Sequence, residues 1–177
     1  MMQHTYLFTL AKLFIVLIRT AASQDSEEIR QIYNHEVLNS LATLDLIPRS
    51  QQAQSVWMEE HAGIHTVLVA TDRDQVIGFA SISPYRPRPG YSSTVENSIY
   101  VHKDHRGRHV GTTLLKALLI EASSSGFHSV MARVVATQSS SIELHKRCNF
   151  ELVGVEREVG RKFGQWIDIA LMQHLLK

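Results

Sequence analysis

The residues with the greatest chemical potential crowd into one segment, Tyr100-Val-His-Lys-Asp-His-Arg-Gly-Arg-His-Val-Gly-Thr112, where a β-rich run gives way to a helical one. The first turn of a helix leaves backbone amides unpaired and carries the positive end of the helix dipole, so an anion is stabilised there. Gly107 and Gly111 let the backbone come close to such an anion, and Arg106 and Arg108 add positive charge. A diphosphate fits this pattern, and so does a tight solvent-exposed turn with incidental arginines. Neither common nucleotide signature is present, because Gly-x-x-x-x-Gly-Lys and Gly-x-Gly-x-x-Gly are both absent.

Other candidates lie outside this loop. Pro84, Pro87, Pro89 and Gly90 define an exposed loop that carries Arg86 and Arg88, with Tyr91 at its end. Arginines there either hold a carboxylate through a forked contact or are simply solvated. His102, His105 and His109, with His61 and His65, invite a metal reading. No cysteine or carboxylate completes a zinc pattern and the trio straddles a loop entering a helix, so no metal is expected. Cys148 has no neighbouring base in a known arrangement and reads as buried filler.

The elements that position these groups follow from periodicity. Ile64–Thr71 and Val76–Ser83 are β-rich and joined by a polar turn, so they should pair antiparallel. Thr94–Val101 alternates, with Val95, Asn97, Ile99 and Val101 opposite Glu96, Ser98 and Tyr100. Val110, Leu114, Leu115, Leu118, Leu119 and Ala122 trace a helical stripe that stops near Gly126. Val130–Ala136 reads as strand, Ser139–Arg147 as a short helix, and Phe150–Val159 with Trp166–Leu171 as a closing strand pair. Upstream, Asp25-x-x-Glu28 reads as a capping box opening a helix with Ile29, Ile32, Tyr33 and Val37 on one face, and Pro48–Ser55 leads into another helix. The order is that of an α/β sandwich.

Composition bounds the rest. The 177 residues, 44% hydrophobic and 20% charged, form one domain of ordinary size. Eighteen Lys+Arg against 17 Asp+Glu give no general attraction to nucleic acid or to an anionic membrane. A single cysteine favours a reducing compartment, and the cytoplasm is expected. The apolar run Tyr6–Ile18, followed by Thr20-Ala21-Ala22, has the outline of a signal peptide. No basic residue precedes it, however, Lys12 interrupts it and Arg19 sits just before the small residues. A buried strand at Phe14–Ile18 is therefore expected, with residues 1–13 an N-terminal extension and 14–177 one domain.

Arg106-Gly-Arg-His-Val-Gly111 resembles the Arg/Gln-x-x-Gly-x-Gly/Ala loop of the GNAT superfamily of acetyl-CoA-dependent N-acetyltransferases. Tyr91–Val101 before the loop, and Ser141–Phe150 and Val159–Asp168 after it, resemble phosphinothricin N-acetyltransferase and its relatives acting on methionine sulfoximine and methionine sulfone. The resemblance spans about Val16 to Leu176. It implies a central mixed, mostly antiparallel sheet with helices on both faces, acetyl-CoA as co-substrate, a homodimer, and the α-amino group of a small amino-acid-like molecule as acceptor. Catalytically silent acyl-CoA binding, or acetylation of a protein N-terminus or polyamine, are the rival readings.

By the same resemblance Glu96 is the general base, and His145 either protonates the leaving thiolate or orients a ligand. The cofactor is met by Ile99, Tyr100 and Val101, by Arg106, Gly107, Arg108, His109, Val110, Gly111 and Thr112, and by Gln138 and Ser141. Arg86, Arg88 and Tyr91 bind substrate, while Lys162, Phe163 and Trp166 line the site or a dimer contact. Three positions depart from the family pattern. His109 and Asn149 stand where glycine is usual, and Gln138 replaces an asparagine that commonly contacts the pantetheine arm. The His109 side chain is expected to crowd the diphosphate, and a glycine there to cost about 0.5–1 kcal/mol in unfolded-state entropy.

Overall fold

A computed structural model describes residues 16–176. The expected extension at 1–13 and the start of the expected strand at Phe14 lie outside these residues. Seven strands form one sheet in the order β1-β2-β3-β4-β5-β7-β6. They are β1 (Leu17–Thr20), β2 (Val67–Asp72), β3 (Gln75–Pro84), β4 (Thr94–Val101), β5 (Ser129–Val135), β6 (Glu151–Lys162) and β7 (Gln165–Leu175). Every neighbouring pair is antiparallel except β4 with β5. The mixed, mostly antiparallel sheet matches the expectation.

Four helices cover it: α1 (Ser26–Asn39), α2 (Gln51–Glu60), α3 (Val110–Ser124) and α4 (Ser139–Arg147). Ile29, Ile32, Tyr33 and Val37 of α1 pack on Val67, Val69 and Phe79 on one face of the sheet. Leu114, Leu115 and Leu118 of α3 pack on Ile77, Ile82, Val95 and Val130 on the other. Each helical stripe read from the sequence thus meets its own side of the strands, because alternate strand residues supply a different apolar surface to each face.

Local chemistry explains most boundaries. The β2–β3 hairpin turns at Arg73 and Asp74, both at positive φ (49° and 70°), and the β6–β7 hairpin at Phe163 and Gly164 (49° and 77°). Left-handed residues at both positions match the twist of the flanking strands. Helix α3 ends through Gly126 at φ 83°, which lets the Phe127 N–H return to the Ala122 carbonyl at 3.1 Å.

Three expectations shift. The first described strand, Leu17–Thr20, overlaps the described part of the expected one at Leu17 and Ile18 and runs on to Thr20, and β2 begins at Val67, after Gly63 at φ 73°. The capping box does not form. Asp25 instead accepts from the Ala22 N–H at 2.7 Å and holds the Arg19 guanidinium at 2.6 and 2.8 Å, a stronger claim on a carboxylate than a helix amide makes.

The feature that positions the site is the short β4–β5 ladder. It covers only Thr94/Ser129, Val95/Val130 and Glu96/Met131. Beyond that point β4 stays paired with β3 and β5 with β7, so the two strands part. Asn97 sits at the fork, 6% exposed, donating through Nδ2 to the Met131 carbonyl at 3.0 Å and presenting Oδ1 to His145 Nε2 at 3.2 Å. Asn97→Leu keeps the volume and loses both contacts. It is expected to cost about 1–3 kcal/mol, the usual penalty for buried polar groups deprived of a partner, and to lower the urea midpoint at an unchanged m-value.

Candidate active site

Where β4 and β5 part, a cleft of about 260 Å³ opens through the sheet. Tyr33 of α1 and Thr43 and Leu44 of the following loop border it on one face, and Gln138, Ser141 and His145 on the other. Six residues expected from the sequence meet there: Glu96, Ile99, Tyr100, Gln138, Ser141 and His145. The cleft also takes in Tyr33, Thr43, Asn97 and Arg133, which sequence reading had not assigned to a site. Tyr33 was legible only as a core position. The one available signal for Arg133 was a lone charge inside an apolar strand run.

Glu96 is partly buried at the fork. Desolvation raises its pKa above the ordinary carboxylate range, the Arg133 and Arg86 guanidinium groups pull it down, and Glu156 pushes it up again. The net effect is a carboxyl that holds its proton more tightly than an ordinary carboxylate. Tyr100 lies on the same face of β4, with its ring between Phe79 and Tyr33, each 5.2 Å away. Burial drives its phenol pKa up, so it stays protonated.

His145 is 2% exposed. Its Nδ1 lies 2.8 Å from the Ser141 carbonyl and its Nε2 3.2 Å from Asn97 Oδ1; both partners are acceptors, so a neutral ring donates to one of the two. Burial pushes the imidazole pKa down, and the contact with the Ser141 carbonyl works against that shift. Cys148 caps the same helix in the core, with its thiol pKa pushed up by burial.

The loop from His102 to Thr112 joins the end of β4 to α3 and, with Val101, lies outside the cleft lining. Gly107 (φ 75°) and His109 (φ 61°) are both left-handed, and the first helical bond runs from the Thr113 N–H to the His109 carbonyl at 3.0 Å. The amides of Val110, Gly111 and Thr112 therefore form the open first turn of a 15-residue helix, a cradle suited to a diphosphate. Gly111 also brings α3 close to α4, since a Cβ there would lie 2.6 Å from Leu144 Cδ1.

Arg106 is committed elsewhere. Its guanidinium pairs with Glu36 of α1 and its Nε–H donates to the Val101 carbonyl at 3.1 Å. Glu36 is 3% exposed and also accepts from Ser40 Oγ at 2.7 Å. Lys162 reaches the same junction, donating to the carbonyls of Thr43 (2.8 Å) and Glu36 (3.4 Å). Arg106 thus straps the loop to α1, and Glu36 balances its charge.

Arg86, Arg88 and Tyr91 lie on the exposed loop outside the cleft lining, although the Arg86 charge is felt at Glu96. His61 is engaged by the Trp57 carbonyl (2.8 Å) and Ser83 Oγ (2.9 Å), and His102 accepts from the Asp104 N–H at 3.4 Å. Among the described residues no group of three or more His, Cys, Asp or Glu is arranged to hold a metal ion.

Because folding favours the protonated Glu96 carboxyl, the folded chain keeps this proton to higher pH than the unfolded chain. Its contribution therefore lowers stability as pH rises from the ordinary carboxylate range through the raised folded value. Glu96→Gln is expected to be more stable than the parent in urea at neutral pH, with the gain vanishing in acid.

Residues 18–171 match the family model of the acetyltransferase (GNAT) domain. The L-methionine sulfoximine/L-methionine sulfone acetyltransferase of Pseudomonas paraeruginosa is 38% identical over 88% of this chain and 92% of its own. The phosphinothricin N-acetyltransferase of Streptomyces coelicolor is 33% identical over 88% and 93%. The crystal structure of a GNAT superfamily phosphinothricin acetyltransferase from Sinorhizobium meliloti in complex with acetyl-CoA superposes with a TM-score of 0.88, at 36% identity over 91% of this chain and 88% of that one. With a whole-domain match, relatives of this similarity and the forked sheet agreeing, the chain belongs to the GNAT acetyltransferase family.

Proposed function

We propose that this protein transfers the acetyl group of acetyl-CoA to the α-amino group of a small amino-acid-like substrate of the phosphinothricin, methionine sulfoximine or methionine sulfone type. The observation that carries this reading is a carboxylate of raised pKa, Glu96, at the inner end of a cleft through the sheet, beside an anion-binding helix start.

Acetyl-CoA supplies an activated acetyl group at a thioester. Its diphosphate is taken by the turn of Arg106, Gly107, Arg108, His109, Val110, Gly111 and Thr112, mainly through backbone amides. Its extended arm lies along the free edge of β4 at Ile99, Tyr100 and Val101, with Gln138 and Ser141 opposite. The acceptor arrives as an ammonium and must lose a proton before its nitrogen can attack. A Glu96 oxygen takes that proton, directly or through a water, and returns it to solvent. The freed nitrogen attacks the thioester carbonyl, the C–S bond breaks as the amide forms, and the departing thiolate takes up the second proton that the nitrogen sheds. His145 links α4 to Asn97 and so holds the arm's wall in place. Arg86, Arg88 and Tyr91 form an outer lip for the distal end of the substrate.

A homodimer and a cytoplasmic location belong to the same reading. Leu152, Val153, Val155 and Val159 of the edge strand β6, with Phe163 and Trp166, are about half exposed or more, an apolar surface that a second copy would cover. No helix among the described residues is long and apolar enough to cross a membrane.

Incubating the purified chain with acetyl-CoA and an amine panel, with free thiol release as readout, tests the activity. Glu96→Gln is expected to lose about 10²-fold or more in kcat while retaining acetyl-CoA affinity. Near-normal turnover by this variant across the pH range counts against Glu96 as base. At His109 the left-handed backbone changes the expectation for stability. A side chain there carries roughly 1–2 kcal/mol of strain, which outweighs the glycine entropy cost expected from the sequence. His109→Gly is therefore expected to be as stable as the parent or more so, and to bind acetyl-CoA more tightly by calorimetric titration. Weaker binding by the variant would make the imidazole a phosphate ligand.

A further inference from the structure

Arg133 is the charged residue of β5, a strand otherwise composed of Ser129, Val130, Met131, Ala132, Val134 and Val135. Val130, Ala132 and Val134 belong to the core under α3, which sends Met131, Arg133 and Val135 to the opposite face. Met131 is the register partner of Glu96 in the parallel ladder, so Glu96 and Arg133 project from the same face. Arg133 stands one pleat beyond Met131, about 7 Å along the strand, where β5 has already separated from β4. The base and this guanidinium therefore border one opening from its two sides.

The side chain is held but not used up. Arg133 Nη2 donates to Glu156 Oε2 on β6 at 2.6 Å, which orients the fork and leaves its Nε and Nη1 donors. Arg86, by contrast, rests on Tyr85, its guanidinium 4.9 Å from that ring, on an exposed loop outside the cleft lining.

We propose that Arg133 binds the α-carboxylate of the acceptor and thereby sets the α-amino group at Glu96, making the site selective for zwitterionic α-amino acids over simple amines. This rests on the amino-acid acetyltransferase reading above. The carboxylate and amine of an α-amino acid share one carbon, so the groups that recognise them must face a common small volume. Glu96 and Arg133 meet that requirement from opposite lips of the cleft. The loop arginines are left for the distal end of the substrate.

Two probes test the assignment, L-methionine sulfone and its decarboxylated counterpart 3-(methylsulfonyl)propylamine, each assayed by thiol release. Both present an amine to Glu96, so any effect of a substitution on Glu96 basicity is shared, and the ratio of their kcat/KM values reports on the carboxylate. Arg133→Gln is expected to lower that ratio ~10- to 100-fold, mostly through the KM for methionine sulfone, with the KM for acetyl-CoA little changed. Should Arg133→Gln lose its thermal transition, Arg133→Lys, which keeps the charge without the fork, is expected to lower the same ratio by less. A ratio that survives both substitutions, or that collapses in Arg86→Gln instead, overturns the assignment. Failure of the unsubstituted chain to acetylate either probe overturns the functional reading and this assignment with it.

Discussion

The whole site depends on two parallel strands that stop pairing. Main-chain hydrogen bonds in a sheet are normally satisfied by the neighbouring strand, and a gap in the middle of a sheet is tolerated only where something else meets those groups. Here β4 and β5 part after Glu96 and Met131, and the Asn97 side chain bridges the fork to the Met131 carbonyl. His145 backs Asn97 from α4, so a buried polar pair, rather than apolar packing, marks where the sheet opens. The same parting leaves Glu96 short of solvent yet not sealed, which is what lifts its carboxyl pKa.

A second buried junction ties the cleft to the loop that flanks it. Glu36 lies almost wholly out of water, and a lone carboxylate there would be costly. Arg106, Ser40 and the nearby Lys162 ammonium answer it, drawing the His102–Thr112 loop, α1 and the end of β6 to one point. The loop's orientation is thus set by an ion pair behind it. Removing one member of such a junction disturbs more than its own contact, because the remaining charges stay buried.

The His109 backbone illustrates how a side chain is accommodated where the conformation favours glycine. A left-handed residue at the helix entry is natural for glycine and strained for a branched or bulky side chain. The chain keeps the backbone conformation and accepts the strain, with φ at 61°, so the amides that follow retain their direction. Asn149, the other position where glycine is usual, also sits at φ 62°, and asparagine tolerates that region better than most residues.

Short-range signals in the amino-acid sequence determined the element order, the helix Ser139–Arg147, the stop at Gly126, the outward turn of Glu96 from Val95, and the glycine-bearing entry into a helix after Val101. Each is written in a few consecutive residues, through periodicity, glycine placement or proline exclusion. Tertiary structure alone decided which groups those signals would meet. Arg106 reads as a phosphate ligand locally, yet its partner Glu36 lies 70 residues away. Asn97 and His145 are 48 residues apart, and Arg133 becomes a neighbour of Glu96 only through the register of the β4–β5 ladder. Register and helix docking depend on the summed burial of surfaces distant in the chain, so no local pattern encodes the contacts they create.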